Sequence, residues 1–395
     1  MKKVFICAHA NFPRGGAEAN YIEYLALALK DIGYKVYVFS RGSNDNEDWN
    51  EENQCYCHNE IFYYNIEGSY HSTVEFAKEY FDESKKNIQL LDRFLAAEDD
   101  CIITYSTNYF YIKKLYQYAC TKKMQLITTV VEWYQPFQYK GGIFNPVYWL
   151  DNIGFEYGIP ISGKVLPISS YLEKHFQKKR CETLCLPIMA DVSQNQMLQE
   201  KKEQAKVQFI YSGNPFHKDA IDVILDSFCA LSNEELQKIV IHFTGMSKTT
   251  KDLLRKKFPN QLERLKNQLI IHEWLSYEEL MELYRKIDFL TLFRRENKVT
   301  LANFPSKIPE MMTYGIIPIV SDVGDYTNCY LSNDKDSICM KDCSVEMGRN
   351  VLSRAINMKK EEKRMMQNET IKTVRDKFDY RNWVNSIRGF LECNT

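Results

Sequence analysis

Glycine and proline are scarce in this chain of 395 residues, with 16 and 11 respectively. That argues against long flexible linkers and excludes a collagen-like chain. No apolar run approaches the ~18–20 residues a membrane-crossing helix needs. No C-x-x-C pair is repeated, so neither Cys55, Cys57 and His58 nor the spacings Cys181/Cys185 and Cys339/Cys343 make a zinc framework. There is no G-x-G-x-x-G, which disfavours a nicotinamide dinucleotide site. Charge of one sign is missing too: 51 Lys+Arg stand against 52 Asp+Glu, a net charge of −1. No global field draws the chain onto nucleic acid, and none is expected as a partner; a polyanion must meet a local site. A secretory signal is also absent from the start, where Met1-Lys2-Lys3 runs straight into Val4-Phe5-Ile6-Cys7-Ala8, a strand-like segment. The twelve cysteines are therefore expected as reduced thiols and the chain as cytoplasmic, with peripheral contact at the inner face of the membrane as a further expectation.

What is present is an ordinary globular balance, 45% hydrophobic and 26% charged. At ~100–200 residues per domain the length suggests two domains. Tyr and Phe are abundant, 26 and 22, and most must serve packing. Residues 1–195 hold 20 Lys+Arg and 24 Asp+Glu, the remainder 31 and 28, so a phosphate is slightly favoured in the second half.

The chain opens as strand, glycine loop, helix, strand. Residues 4–8 are the first apolar run and Pro13-Arg14-Gly15-Gly16 the turn. Tyr21, Tyr24, Leu25, Ala28, Leu29 and Ile32 then recur at helical spacing, and Gly33 stops that helix. Residues 36–39 form the next strand, and this β-α-β unit argues for a parallel sheet with right-handed crossovers. Residues 43–60 read as a polar surface loop, and 72–97 as two helices. Strands follow at 101–104, 126–131 and 165–168, with helices at 108–121 and 170–178. The polar stretch 193–205 reads as the connector. The theme restarts with strands at 207–211, 239–243, 269–272, 289–293 and 317–321, and helices at 221–231, 277–285 and 306–314. Helical segments at 344–358, 359–376 and 380–391 close the chain. The expected architecture is α/β: two Rossmann-like, doubly wound domains in tandem, 1–195 and 206–375. A tail, 376–395, crosses back to the first. Ligands of such sheets bind at the carboxyl ends of the strands, here in a cleft between domains.

Three segments carry chemistry. Gly15-Gly16-Ala17-Glu18 lets a backbone approach a ligand closely ahead of a helix N-terminus, or is an ordinary turn. In Tyr211-Ser212-Gly213-Asn214-Pro215-Phe216-His217-Lys218-Asp219 a strand runs into a small-residue turn that delivers Lys218 ahead of a helix, where an ammonium can neutralise a diphosphate or lie solvated at the surface. In the run 303–320, Ser306 can cap a short helix. Lys307 and Glu310 are neighbours on one face of it, so Glu310 either pairs with Lys307 or accepts both hydroxyls of a ribose.

With these motifs the chain resembles, over nearly its whole length, the family-four retaining glycosyltransferases of the two-domain GT-B fold. The resemblance rests on Pro13-x-Gly15-Gly16-Ala17-Glu18, on Tyr211-x-Gly213-Asn214 through Lys218, and on Pro305-Ser306-Lys307-x-x-Glu310-Met311-Met312-x-x-Gly315-x-x-Pro318-Ile319. The segment from Ile271 through Trp274 to Leu280 adds the family's strand-loop-helix beside the nucleotide base. The resemblance implies transfer of a sugar from a nucleotide-sugar donor to a hydroxyl of a glycan or lipid-linked glycan acceptor, in surface-polysaccharide synthesis, with no cofactor and no metal. It implies that Lys218 meets the diphosphate, Glu310 the ribose, and Gly16 the donor phosphate or transferred sugar. The backbone around Asn303 and Phe304 would face the phosphates, and Gly15, Gly213, Asn214, Trp274, Ser306 and Lys307 complete the donor set.

The chain departs from the pattern in three places. Asn214 stands near where many members carry an Arg, so Lys307 is expected to share its work. Ala302 stands where many have a second Glu. After the strand at 126–131, where many have a His, Glu132 is offered instead, to orient the acceptor or act as a base. His9 and His217 are further candidates for substrate and phosphate contact. The basic stretch of Lys174, His175, Lys178, Lys179 and Arg180, with Tyr171 and Phe176, is either a solvated helix face or a contact with anionic lipid. Two other functions fit the same architecture: a non-catalytic binding subunit and a nucleotide-sugar epimerase.

Overall fold

Segments such as Val4-Phe5-Ile6-Cys7 are apolar on both faces, and a parallel sheet covered on both sides is the structure that buries them. Those four residues are at most 1% exposed. The computed structural model describes residues 2–66, 73–193, 204–216 and 218–393. His71, His217 and most of the connector 193–205 lie outside the described residues. The chain divides into two units, Met1–Met189 with Tyr380–Thr395, and Ala190–Asp379.

The strands of the first unit are β1 (Lys3–Asn11), β2 (Lys35–Arg41), β3 (Trp49–Asn50), β4 (Cys55–His58), β5 (Ile61–Asn65), β6 (Cys101–Tyr105), β7 (Gln125–Val130), β8 (Lys164–Pro167) and β9 (Glu182–Thr183). They order as β3-β4-β5-β2-β1-β6-β7-β8-β9. Pairing is parallel from β5 to β9, with Val4 opposite both Val36 and Cys101, and antiparallel in β3-β4-β5. The helices are α1 (Ala17–Ile32), α2 (Thr73–Arg93), α3 (Tyr109–Lys122), α4 (Pro146–Ile153) and α5 (Ser170–Lys178). Gly33, at φ 110°, ends α1 in the left-handed conformation its lack of a Cβ permits. Asn108 caps α3, accepting from the amides of Phe110 and Tyr111.

Two expectations are corrected in this unit. The span 43–60 is not all loop: β4 and β5 pair as a hairpin, burying Cys55, Ile61 and Tyr63. Its polar residues mask one buried face, so composition hides the strands. The span 72–97 holds one helix of 21 residues, not two.

The second unit holds β10 (Val207–Ser212), β11 (Ile239–Thr244), β12 (Leu269–Ile271), β13 (Phe289–Leu292), β14 (Ile317–Ser321) and β15 (Ile338–Met340), in the order β12-β11-β10-β13-β14-β15 with every pair parallel. Its helices are α6 (Ile221–Cys229), α7 (Asn233–Gln237), α8 (Lys248–Lys257), α9 (Pro259–Arg264), α10 (Tyr277–Tyr284), α11 (Lys298–Ala302), α12 (Lys307–Met312), α13 (Val345–Ile356) and α14 (Lys360–Thr373). The core gathers Phe209, Tyr211, Ile224, Phe228, Ile241 and Phe289, among others, between sheet and helices.

The last helix, α15 (Val384–Glu392), belongs to the first unit. Lys164, whose side chain is 4% exposed, holds its end by donating to the carbonyls of Phe390 at 2.7 Å and Cys393 at 2.5 Å. Tyr24 of α1 stacks on Tyr380 just before that helix.

In the parallel part of each sheet, strand order reverses at a switch point. In the first it lies between β1 and β6, and in the second between β10 and β13. Chains leaving the carboxyl ends of two such strands diverge to opposite faces and leave a crevice.

Candidate functional site

In the second unit this crevice is built from the loops after β10 and β13. Gly213, at φ 144°, takes the turn after β10 in a conformation that side-chain-bearing residues rarely adopt. Asn214 is exposed, and its Oδ1 accepts the amide of Phe216, so its side chain shapes the turn. The turn delivers Lys218 and Asp219. Lys218 is half-buried and lines an open cleft of ≈ 410 Å³ with Asp219, Asp222, Lys257, Arg295 and Asn297 among others.

Asp219 is tied twice. Its Oδ1 accepts from Arg294 Nε at 2.8 Å and its Oδ2 from the Tyr211 hydroxyl at 2.8 Å. Arg294 also donates to Asn303 Oδ1 at 3.0 Å. Burial alone would lower the pKa of this guanidinium, but Asp219 together with Tyr326 and Tyr211 raises it above its ordinary value. Burial, then Asp219, push the Tyr211 hydroxyl well above its ordinary value. Arg295 grips Asp222 with two donors, and that contact holds the Asp222 carboxyl below its ordinary value. Lys218, Lys257 and Arg295 thus face Asp222, with Asp219 neutralised by Arg294. The cleft has an excess of positive charge.

Glu310 sits in a second network. Lys307 donates to both of its oxygens, at 3.1 and 2.9 Å, and the Tyr284 hydroxyl donates to Oε1 at 3.1 Å. Of the two readings of Glu310, the ion pair with Lys307 is the one seen here. Tyr284 is also hydrogen-bonded by Ser212. Consecutive residues of β10, Tyr211 and Ser212, therefore anchor the two networks, and successive strand side chains point to opposite faces. Asp219 directly, and Glu310 through Tyr284, thus meet the end of one strand at consecutive residues.

Ser306 does not cap α12. Its backbone is already helical, at φ −59° and ψ −26°, whereas a capping residue needs an extended backbone to turn its oxygen onto the helix amides. Asn303 is 8% exposed; the ring of Phe304 is buried against Tyr326, Tyr330 and Phe378. Ala302 is fully buried. Trp274, between β12 and α10, is 85% exposed.

In the first unit, His9, Tyr105, Thr129, Glu132 and Tyr134 line a cavity of ≈ 110 Å³ at the ends of β1, β6 and β7. His9 Nδ1 is 2.9 Å from Ser106 Oγ. Burial, then Tyr134 and Glu132, push the Tyr105 hydroxyl well above its ordinary value. Gly15 is needed by the chain itself, because a Cβ there would lie 2.2 Å from the Asn11 carbonyl. Gly16 is different: its Cβ would meet only the tip of Glu18, at 3.1 Å. A carboxylate thus already stands at the start of α1, where it is favoured by the helix dipole.

Arg294 and Arg295 lie outside every motif, and the motifs that contain Asp219 and Tyr211 assign them no contact. The detectable signal was Phe293-Arg294-Arg295, two cations directly after a buried strand at the switch point. The basic stretch runs along α5 and just past its end, with Lys174, Lys178 and Arg180 exposed and Lys179 paired to Glu156 at 2.8 Å.

Two doubly wound units, with cations gathered at the switch point of the second, are the plan of a GT-B glycosyltransferase, and residues 192–372 match the family described as glycosyl transferases group 1. The chain has the GT-B fold, and its second unit carries the domain that matches this glycosyltransferase family. It resembles a glycosyltransferase from Rickettsia africae ESF-5, with 12% identity, 99% of this chain and 98% of that one covered, and a TM-score of 0.71. A sucrose-phosphate synthase from Thermosynechococcus elongatus gives 13% identity, 98% of each chain and 0.73. Anabaena HepE, solved in complex with UDP and glucose, gives 10% identity, 100% of each chain and 0.69. At such identities these likenesses show the fold. Among curated proteins, a 172-residue stretch is 24% identical to the kinesin-like protein Klp61F of Drosophila melanogaster, covering 42% of this chain and 15% of that protein. The chain thus spans a small part of that relative's length.

Proposed function

We propose that the protein moves a sugar from a nucleotide-sugar donor to a hydroxyl of a glycan or lipid-linked glycan, with retention at the anomeric carbon, as a family-four enzyme of surface-polysaccharide synthesis acting in the cytoplasm. One observation carries this: Lys218 and Arg295 share an electropositive cleft at the switch point of the domain that matches the family. HepE, solved with UDP and glucose, supports a nucleotide-sugar donor.

In this reading Lys218 meets the diphosphate, with Arg295 beside it. Glu310 takes the ribose hydroxyls as Lys307 shifts towards the phosphates, and Trp274 flanks the base. Glu132 and the cavity around it hold the acceptor. The bond from the anomeric carbon to the phosphate oxygen breaks, and the acceptor oxygen bonds that carbon on the same face. The acceptor's proton passes to the departing phosphate oxygen. Charge accumulates on the diphosphate, and fixed cations stabilise it without reorganisation, so no metal is required.

The test is transfer across a panel of nucleotide sugars, read by NMR of the anomeric product with and without chelator. Retained configuration and activity in chelator are expected, with loss in Lys218→Ala and Glu310→Ala. Unchanged turnover in both variants would end this assignment of the site. Conversion of donor without acceptor would identify an epimerase, and absence of any nucleotide binding a scaffold.

A further inference from the structure

We propose that the segment following β7 seats the protein on an anionic lipid surface. Phe144, Trp149, Ile153 and Tyr157 are 88, 51, 41 and 67% exposed. The last three are spaced by four along α4 and the wider helical turn that continues it over Gly154–Gly158, so they share one helix face. Helices normally turn their apolar face inward; this one buries Phe155 and carries a second apolar face outward.

The backbone explains why the face cannot fold away. Gly154 and Gly158 are buried on another side of the same helix. A Cβ on Gly154 would lie 1.5 Å from the Thr107 carbonyl, and one on Gly158 would lie 3.3 Å from Tyr109 Cα. The helix is pressed by its glycines onto the loop before α3, and the aromatic side is held outward. The Trp149 indole N–H is already satisfied by the Ile143 carbonyl at 2.8 Å, so sinking the ring into lipid leaves no donor unpaired.

The rim is cationic. Lys140 is exposed at one end, and Lys179 lies 5.8 Å from the Tyr157 ring centroid at the other. Lys174 and Lys178 of α5, with Arg180 just beyond it, extend that end and are exposed. The neighbouring carboxylates are engaged, Asp151 by Tyr139 and Thr107, Glu156 by Lys179. A second copy docking by two-fold symmetry would set cation against cation. An anionic bilayer matches both features, because apolar insertion and basic attraction together give stable binding where either alone is marginal. This deepens the proposed function by placing the acceptor at a membrane, but lipid binding itself does not depend on that reading.

The test is co-sedimentation of the full chain with vesicles of phosphatidylcholine alone and of phosphatidylcholine mixed with phosphatidylglycerol. Binding to the mixed vesicles, weakened by salt, is expected, with little binding to the neutral ones. Trp149→Glu with Ile153→Glu should lower it at least about tenfold, and Phe144→Ser, at a fully external position, should lower it without touching the helix. Brominated lipid should quench tryptophan fluorescence in wild type and much less in Trp149→Phe. No vesicle binding, or binding indifferent to these substitutions, overturns the proposal. So does concentration-dependent dimerisation that the same substitutions abolish. Vesicle binding with no sugar transfer would leave the lipid surface standing while removing the proposed function; transfer to a soluble acceptor without vesicle binding would do the opposite.

Discussion

Arg294 and Asp219 form an ion pair at 2.8 Å whose side chains are only 7% and 8% exposed. The two residues are 75 apart in sequence. Their bond ties the loop after β13 to the loop after β10, so the position of Lys218 is set by the residue that follows it. Arg294 also reaches Asn303, which brings the segment ahead of α12 into the same frame.

Removing one partner leaves the other charged and buried. Asp219→Ala should therefore destabilise the second unit by about 3–5 kcal/mol, seen as a lowered urea midpoint. The double replacement Asp219→Leu with Arg294→Met should cost less than the two single changes combined, because neither charge is then stranded. Additive losses would show that the pair does not couple the loops.

Glu310→Gln keeps an acceptor for Tyr284 but removes the carboxylate. The ion pair with Lys307 is partly exposed, so the unfolding midpoint should move little. Donor KM should rise by about tenfold or more, the value of a hydrogen bond from a ribose hydroxyl to a charged group. Lys307→Met should raise donor KM less, since it leaves the carboxylate in place. Steady-state kinetics on both variants decides whether the carboxylate serves the ligand or only its lysine.

The two N-terminal glycines should behave differently. Gly15→Ala forces a Cβ against the Asn11 carbonyl and should lower the melting temperature clearly. Gly16→Ala meets only the far end of the Glu18 side chain, so the melting temperature should stay close to wild type. Any loss of transfer in Gly16→Ala then reports on ligand approach. Thermal melts with activity on the same samples separate the two cases.

His242 gives a pH dependence. Gln208 Oε1 can only accept, so His242 Nε2 donates to it at 2.9 Å, and Nδ1 is left to accept from His272 Nε2 at 2.8 Å. Burial first, then His272, lower the His242 pKa to about 4. A proton on Nδ1 would face a donor. Because the folded value lies below the unfolded 6.5, this stabilisation is complete above about pH 6.5 and is lost as pH falls towards 4. The loss amounts to about 3 kcal/mol. His242→Asn should flatten the fall in urea midpoint over that window, and an unchanged slope would place the titration elsewhere.

The parallel strands of both sheets were legible because residues such as Phe5, Ile6, Phe209 and Ile210 are apolar without interruption. The glycine stops were legible because Gly33 needs a conformation other residues avoid. The hairpin of β4 and β5 was not, because half of its residues face outward and are polar. Nor was the outward helix face at Trp149, Ile153 and Tyr157, whose spacing is that of any buried stripe; only the glycines pressed on the other side show which way it turns.

The amino-acid order by itself determined the local elements and the position of Lys218 and Glu310 on them, since periodicity, turn chemistry and caps act over a few residues. The tertiary structure decided which charges meet. Asp219 finds Arg294, and Glu310 finds Tyr284, only because parallel pairing brings the ends of distant strands within hydrogen-bond reach. Those contacts depend on strand order, which no local interaction encodes.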